Sequence, residues 1–183
     1  NGGIKGVAPN SKIVSVKALD NQGGGFTSDI IAGIDWCTEN KERYNISVIS
    51  MSLGADCTKF PQYCYNSFCD QYDVNSGERD AINSAIAKNI SVVVATGNNG
   101  NSTHISSPAC IQNVTRVGST NKSDIMSGFS NRWSLDMLVA PGTEINSTNK
   151  TGEYILMSGT SMAAPHVAGA IAIINQYLKS INK

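Results

Sequence analysis

The sequence carries little charge and no excess of either sign. Its 183 residues include 14 basic and 14 acidic side chains, so the formal net charge is zero, and no run of Lys and Arg occurs. A surface that binds nucleic acid or an anionic membrane needs clustered positive charge. The composition therefore argues against both as partners.

Long hydrophobic runs are also lacking. The most apolar segment, residues 162–174, is much shorter than the roughly 20 residues that cross a bilayer. It predicts a buried helix, and we expect no membrane span. The chain opens with Asn1-Gly2-Gly3 and has no charged region followed by an apolar signal core. We therefore expect that the natural start of the protein is missing from this chain.

Histidine is scarce, with two in the chain, whereas cysteine occurs five times. Cys57, Cys64 and Cys69 cluster in an aromatic segment, but two C-x2-C pairs are absent and neither His is close in sequence, so a zinc site is not indicated. The cluster suits a disulfide-stapled surface loop in an oxidising compartment, which predicts an extracellular or secreted protein. Free buried thiols, Cys37 and Cys110 included, are the alternative.

Hydrophobic periodicity predicts one domain in which strands and helices alternate. Six segments have the pattern of strands: residues 12–19, 48–53, 91–95, 114–117, 135–140 and 154–157. Helical spacing follows Ser28 as a candidate N-cap and recurs in residues 78–89 and in 161 to about 179. Residues 55–77 form an irregular, cysteine-bearing insertion. This order predicts an α/β fold with a parallel β-sheet flanked by helices on both faces.

Ligands bind at the carboxyl ends of the strands in such sheets, which directs attention to the loops after Leu19, Leu53, Ala95 and Met157. The last of these loops leads into residues 159–169, GTSMAAPHVAG. Ser161 is then at the start of a helix, where the dipole and the free N–H groups favour negative charge on a bound substrate. Pro165 is expected in the first turn. A plain N-cap role for Ser161 is the structural alternative.

A second polar segment follows the predicted strand 91–95. Residues 92–100 read VVVATGNNG, so that Asn98 stands directly after the strand. The segment resembles the subtilase strand that ends in the oxyanion-hole asparagine, and this resemblance implies that the Asn98 amide and the N–H of Ser161 bind the anionic tetrahedral oxygen that forms in acyl transfer. The alternative is a loop asparagine that tolerates a positive φ angle.

Both segments resemble those of the subtilases, the subtilisin-like serine proteases. The resemblance implies that Ser161 is the nucleophile and Asn98 the oxyanion donor, and that the fold is a subtilisin-like three-layer sandwich. Residues 6–9, GVAP, resemble a further element of that family. The likeness covers almost the whole chain apart from the insertion, and it implies the carboxyl-side part of a catalytic domain, truncated at both ends.

The same resemblance implies where an extended polypeptide substrate binds. Two opposite edges and one pocket wall match the family: Gly23, Gly24, Gly25, Ser52, Leu53, Gly54, Ala95, Thr96 and Gly97. Glycine permits close approach of a peptide backbone, although these glycines also suit plain turns. The family often binds structural calcium in surface loops, but no acidic cluster identifies a site here and no cofactor is required. The missing remainder of its own domain is a further candidate partner.

Subtilases place an Asp motif and then a His-Gly-Thr-His motif before the serine, and this sequence contains neither. His166 lies five residues after Ser161 on the same predicted helix, about 140° round the axis, and cannot reach its hydroxyl. His104 lies in a polar loop and nothing in the sequence holds it near Ser161. We therefore expect the triad Asp and His in an upstream segment, and little or no peptidase activity from this chain alone.

Three other functions compete with a serine endopeptidase. A non-catalytic subtilase-like peptide-binding module keeps both substrate edges and needs no base. An α/β-hydrolase esterase needs a His after the serine motif, and no His follows His166. A nucleotide-binding loop at Gly23 to Gly25 lacks both phosphate-loop patterns.

Overall fold

Four parallel strands form the central sheet in the computed structural model, which describes residues 3–72, 75–133 and 136–181. The helices are α1 (Thr27–Glu39), α2 (Lys41–Tyr44), α3 (Ser76–Ala87) and α4 (Thr160–Ser180). The strands are β1 (Val48–Met51), β2 (Cys64–Tyr65), β3 (Ser91–Ala95), β4 (Ile105–Ser106), β5 (Thr115–Thr120), β6 (Leu138–Pro141), β7 (Ile145–Thr148) and β8 (Tyr154–Met157). The parallel sheet has the strand order β1-β3-β5-β6.

Strand β3 shows why the sheet is covered on both faces. Successive side chains of a strand point to opposite faces, and Val92 and Val94 belong to one core while Val93 and Ala95 belong to the other. Helices α1 and α3 supply the first core, with Ile34 and Ile82 among its members. Helix α4 supplies the second core through three residues: Ala163, Ala164 and Val167. The predicted α/β fold, with helices on both faces of a parallel sheet, is confirmed.

Most predicted elements occur with shifted ends. The predicted helices 78–89 and 161–179 are found as α3 and α4, and five of the six predicted strands correspond to β1, β3, β5, β6 and β8. Strand β8 is not part of the parallel sheet, however, because it pairs antiparallel with β7 in a separate ribbon. The first residue predicted for β6, Leu135, lies outside the described residues.

The strand predicted at residues 12–19 is wrong. The backbone there forms no ladder with any described strand, and three of its apolar side chains are exposed: Ile13, Val14 and Val16. Alternating β-branched residues favour an extended chain, but a strand requires a hydrogen-bonded neighbour, which this segment does not have within the described residues. The segment lies instead near α1, where the Cβ position of Gly33 is 3.1 Å from Val16 Cγ1.

Four of the five cysteines are paired. Cys57–Cys64 closes a short loop within the insertion, and Cys69–Cys110 ties the insertion to the segment after β4. Cys37 is free and buried on α1, and burial raises the pKa of its thiol. The two disulfides therefore hold the described part of the insertion, residues 55–72, which contains a 3₁₀ turn at Pro61–Tyr63 and strand β2.

Within the described ranges, no helix is both long and apolar enough to cross a membrane. The apolar run at residues 162–174 lies within α4, which packs on the sheet through one side while Ile173, Ile174 and Tyr177 are exposed.

A buried arginine joins β5 to the loops beside it. The side chain of Arg116 is 2% exposed. Its guanidinium donates to the backbone carbonyls of Ala109, Ile111 and Gln112. It also donates to the backbone carbonyl and to the carboxylate Oδ1 of Asp136. Its charge also faces two aromatic rings, those of Phe68 and Trp133. One side chain thus supplies hydrogen bonds to several backbone carbonyls at once.

Replacing Arg116 with methionine should therefore lower the free energy of unfolding by about 3 kcal/mol, because several buried acceptors lose their donor at once. Urea unfolding followed by circular dichroism measures this loss. Arg132→Met removes the same charge from an exposed position and should change stability by less than about 0.5 kcal/mol. Equal effects of the two substitutions would show that the Arg116 contacts contribute little.

Candidate active site

A cleft of about 950 Å³ opens where β1 and β3 end and α4 begins. Ten of the eleven residues assigned to catalysis or substrate binding from the sequence line this one cleft: Gly23, Gly24, Gly25, Ser52, Leu53, Gly54, Ala95, Gly97, Asn98 and Ser161. The exception is Thr96, whose side chain is fully buried and donates to the carbonyl of Asn131. Residues separated by more than 130 positions in sequence thus meet at a single surface.

Ser161 is the second residue of α4, and Gly159 occupies the N-cap position. The hydroxyl of Ser161 does not cap the helix, which removes the simple N-cap interpretation of this serine. It donates instead to the carbonyl of Ser52 across the cleft, at 3.4 Å, which is a long and weak hydrogen bond. The hydroxyl is therefore half-buried, lightly held and placed at the positive end of the helix dipole.

Pro165 determines how the first turn of α4 is fixed. We expected this proline in the first turn, but it is the sixth helical residue, and a proline there has no N–H for the carbonyl four residues earlier. That carbonyl belongs to Ser161, and the Ser52 hydroxyl donates to it at 2.8 Å. Ser52 thus replaces the lost helical bond and attaches the turn that carries Ser161 to the end of β1.

Asn98 is held in one orientation by Thr160. Its Oδ1 accepts from the Thr160 N–H at 2.8 Å and from the Thr160 hydroxyl at 2.9 Å. Because a backbone N–H only donates, the oxygen of the amide must face Thr160, and the Nδ2 group is left to donate elsewhere. The Thr160 hydroxyl in turn accepts from the Gly97 N–H at 3.2 Å, so the loop after β3 is bonded to the start of α4.

The amide nitrogen of Asn98 and the backbone nitrogen of Ser161 both lie close to Gly159. A Cβ atom built on Gly159 would lie 3.5 Å from Asn98 Nδ2 and 3.6 Å from the Ser161 nitrogen, so these two nitrogens are at most about 7 Å apart. The N–H of Ser161 belongs to the first turn of the helix and has no intrahelical acceptor. Two hydrogen-bond donors therefore flank the space beside the serine hydroxyl.

The loop that carries Asn98 is shaped by Gly97 and Asn131. Gly97 has a φ angle of +104°, and a Cβ there would lie 2.5 Å from Asn131 Nδ2, so only glycine fits. Asn131 is fully buried, and its Oδ1 accepts from the N–H groups of Asn99 and Asn101. A buried side chain thus supplies the acceptors that this turn lacks.

Gly23, Gly24 and Gly25 form a turn at the rim of the cleft. The turn is closed by Asp20, whose N–H donates to the Gly24 carbonyl and whose carboxylate accepts from the N–H groups of Gln22 and Gly24. These hydrogen bonds lower the pKa of Asp20. The segment is therefore a fixed wall directly ahead of α1.

The two histidines lie elsewhere. His166 uses Nδ1 in a 2.8 Å contact with the carbonyl of Met162, one turn back on α4, and His104 uses Nδ1 in a 2.8 Å contact with the Thr103 hydroxyl. The hydroxyl of Ser161 points to a backbone carbonyl instead of an imidazole. Within the described residues, no general base is hydrogen-bonded to the serine.

Three residues of the site were not identified from the sequence. Thr160 lies inside the serine motif, so its place directly before Ser161 was the signal that could have identified it. Asn131 and Glu78 have no local signal, because each reaches the site from a distant segment. Glu78 lies in the first turn of α3, lines the cleft and is 6% exposed. Burial raises the pKa of its carboxyl from 4.5 to about 7.

A second carboxyl at the cleft behaves in the opposite way. Asp56 accepts hydrogen bonds from the hydroxyl and N–H of Thr58 and from the Asn99 amide, and Lys59 lies near it. These contacts lower the pKa of Asp56 to about 2. No group of three or more His, Cys, Asp and Glu side chains able to hold a metal ion occurs in residues 3–72, 75–133 and 136–181. Structural calcium stays a prediction from the family resemblance, and we assign no step to a metal.

Comparison with known proteins agrees with this geometry. The family model described as the subtilase family matches residues 1–183. The chain is 40% identical over 172 residues to a thermophilic serine proteinase of Bacillus sp. (strain AK1), covering 94% of this chain and 38% of that protein. It is 35% identical to subtilisin DY of Bacillus licheniformis, covering 94% of this chain and 57% of that protein.

One solved structure is a cold-adapted subtilisin-like serine proteinase, at 37% identity and a TM-score of 0.74, and the match covers 94% of this chain and 56% of that one. The chain thus spans between 38% and 57% of the length of these three relatives.

The raised pKa of Glu78 predicts a pH dependence of stability. A carboxyl whose pKa is higher in the folded than in the unfolded state stabilises the fold while it is protonated, and this contribution is lost as the pH rises from about 4.5 to about 7. The loss amounts to about 3 kcal/mol. Glu78→Gln should remove it, so the free energy of unfolding of the variant should fall less over this range than that of the wild type.

Chemical denaturation at pH 4.5, 5.5, 6.5 and 7.5 measures the two profiles. Glu42→Gln is the matched control, because it deletes the same charge from a side chain that is 91% exposed. Parallel profiles for wild type and Glu78→Gln would contradict the raised pKa.

Proposed function

The chain belongs to the subtilase family, and on this premise we propose that it carries the nucleophile and the oxyanion donors of a serine endopeptidase. One observation supports the assignment most. The amide of Asn98 is oriented by Thr160, and its nitrogen and the Ser161 nitrogen both lie close to Gly159, next to the serine. Fixed donors directed at a point where negative charge develops are the main source of stabilisation in acyl transfer.

In the proposed mechanism, Ser161 Oγ attacks the carbonyl carbon of the scissile peptide bond. The carbonyl oxygen becomes an oxyanion and accepts hydrogen bonds from Asn98 Nδ2 and the Ser161 N–H. The hydroxyl proton passes to a base and then to the nitrogen of the scissile bond. The C–N bond breaks, the amine departs, and the acyl group remains as an ester on Ser161. Water hydrolyses this ester and restores the serine.

We propose that the base is an imidazole, oriented by a carboxylate, and that both come from polypeptide outside these 183 residues. His166 and His104 are engaged elsewhere. Without a base the hydroxyl of Ser161 keeps the high pKa of an alcohol and is a poor nucleophile. The 183 residues alone should therefore have little peptidase activity.

The alternative function is a subtilase-like module that binds peptides without cutting them. The weak 3.4 Å bond from the Ser161 hydroxyl to the Ser52 carbonyl favours it, since that bond needs no base. Retention of Asn98 and of its Thr160 support favours the peptidase, because a binding module has no use for an oxyanion donor.

The cleft indicates the form of the substrate. Gly23 to Gly25 bound one side and Ser52 to Gly54 the other, so we propose that a polypeptide lies extended between them. We also propose a secreted location, because the two disulfides are typical of an oxidising compartment.

The role of Ser161 is tested in the full natural polypeptide that contains this chain. Ser161→Ala should reduce kcat/KM for a fluorogenic peptide by at least about 10⁴-fold, because the nucleophile is lost. Ser180→Ala, at the far end of α4, should leave activity unchanged. The 183 residues assayed alone should show no turnover. Ser161-dependent cleavage by the 183 residues alone would refute the proposal that the base lies outside them. Equal activity of the full-length wild type and its Ser161→Ala variant would refute the peptidase function.

The role of Asn98 is tested in the same polypeptide. Asn98→Ala should lower kcat by about 10²- to 10³-fold with a nearly unchanged KM, the size measured for the corresponding donor of a subtilisin, a member of this family. Asn83→Ala removes an amide that pairs with Asn113 on the surface and serves as the control. A loss confined to KM would show that Asn98 binds the ground state instead of the oxyanion.

A further inference from the structure

Glu78 is a buried carboxyl that opens onto the cleft and takes no part in the mechanism above. It is the third residue of α3, a position from which glutamate commonly bonds back to the N–H of the N-cap residue. The structure shows no such bond, and the N–H of the N-cap residue, Asn75, donates to the Tyr72 carbonyl. The carboxyl of Glu78 therefore does not cap its own helix.

The hydrogen bonds around Glu78 leave its carboxylate without a committed donor. The Ser107 hydroxyl lies 3.0 Å from Asn75 Oδ1 and 3.4 Å from Glu78 Oε2. One hydroxyl has one proton, and the shorter contact directs it to Asn75. The amide of Asn75 is itself occupied, since it donates to the Tyr65 hydroxyl at 2.9 Å. An ionised Glu78 is thus a buried charge that needs a cation or a donor from the cleft.

The cleft that Glu78 lines also has apolar lining residues. Ile30, Leu53, Tyr63 and Pro108 line the same cleft. A cleft with apolar lining residues and a buried carboxylate matches lysine or arginine, whose aliphatic stem packs on apolar surface while the charged end pairs with an acid.

We propose that Glu78 is a specificity-determining residue that pairs with a basic side chain of the peptide substrate. The proposal rests on the peptide-binding function of the cleft. The only side-chain polar contact that the structure gives the carboxyl is the 3.4 Å contact of Oε2 with the Ser107 hydroxyl, within the described residues, and that hydroxyl is bonded more closely to Asn75.

The charge state of Glu78 gives the pocket a pH dependence. Burial raises the pKa of Glu78 to about 7, so its carboxyl is mostly protonated in mild acid when the pocket is empty. A bound ammonium or guanidinium displaces this proton, so affinity for a basic peptide should rise with pH up to about 7.

Other ionisable groups near the pocket do not compete over this range. Those that line the cleft are Asp56, Lys59 and Tyr63. Asp56 has a pKa of about 2 and stays ionised, and it is paired with Lys59. Arg79, the next residue on α3, donates to the Asp70 carbonyl and to Asp80.

The test measures binding of fluorescein-labelled octapeptides to the full natural polypeptide carrying Ser161→Ala, which prevents cleavage, by fluorescence anisotropy. Each peptide has one lysine in an alanine background, scanned over all eight positions, and a partner with norleucine, which lacks only the ammonium. At pH 8 one lysine position should bind at least about tenfold more tightly than its norleucine partner. Glu78→Gln should abolish this ratio, and Glu42→Gln should preserve it.

A second readout needs no Glu78 variant. At pH 5.5 about 3% of a carboxyl with a pKa of 7 is ionised, so the affinity of the selected lysine peptide should fall by up to about 30-fold from its value at pH 8. The norleucine partner should change little. Equal affinities within every pair, including no measurable binding of any peptide, would overturn the proposal, as would a lysine preference that survives Glu78→Gln.

The pocket and the peptidase can fail separately. Lysine-selective binding without Ser161-dependent cleavage in the full polypeptide would keep the pocket and remove the peptidase. Ser161-dependent cleavage without any lysine preference would keep the peptidase and remove the pocket.

Discussion

The interaction on which the site depends is the pair of hydrogen bonds that Asn98 Oδ1 accepts from Thr160. It joins the end of a central strand to the first turn of a helix that comes 62 residues later in the chain. Because the acceptor oxygen is used up, the donor end of the same amide is turned toward the space beside Ser161. Without this bond the two elements would still pack through their apolar faces, but nothing would fix the direction of the amide.

A second layer of polar contacts holds these two elements in register. Asn131 supplies the acceptors for the turn after β3, and Ser52 supplies the donor that Pro165 removes from α4. Each is a single side chain that satisfies a backbone group which secondary structure leaves unpaired, and such satisfied networks are rigid. Glu78 differs from them, since its carboxylate remains under-satisfied at the wall of the same cleft. The contacts around Asn98 and Ser161 fix the position of the catalytic groups, whereas the carboxyl of Glu78 is left to bind a ligand.

Sequence reasoning was most successful where function and local pattern coincide. The apolar run of β3 and the small-residue motif at the start of α4 predicted the sheet, the helix and the two residues at their junction. It failed where the outcome depends on distant partners. Residues 12–19 have a strand pattern but no neighbouring strand within the described residues. Strand β8 pairs with β7 in a separate antiparallel ribbon, and nothing in its own sequence indicates that partner. Glu78 and Asn131 were missed for the same reason, since burial and hydrogen bonding of an ordinary Glu or Asn are decided by tertiary contacts.

A crystal structure of the full polypeptide with a peptidyl boronate tests the central claim most directly, because a boronate bound to serine mimics the tetrahedral intermediate. The expected result is a covalent bond from boron to Ser161 Oγ and a boronate oxygen about 3 Å from both Asn98 Nδ2 and the Ser161 nitrogen. Asn98 Oδ1 should remain bonded to Thr160. A boronate oxygen without contact to Asn98, or an Asn98 side chain that has left Thr160 to bind elsewhere, would contradict it.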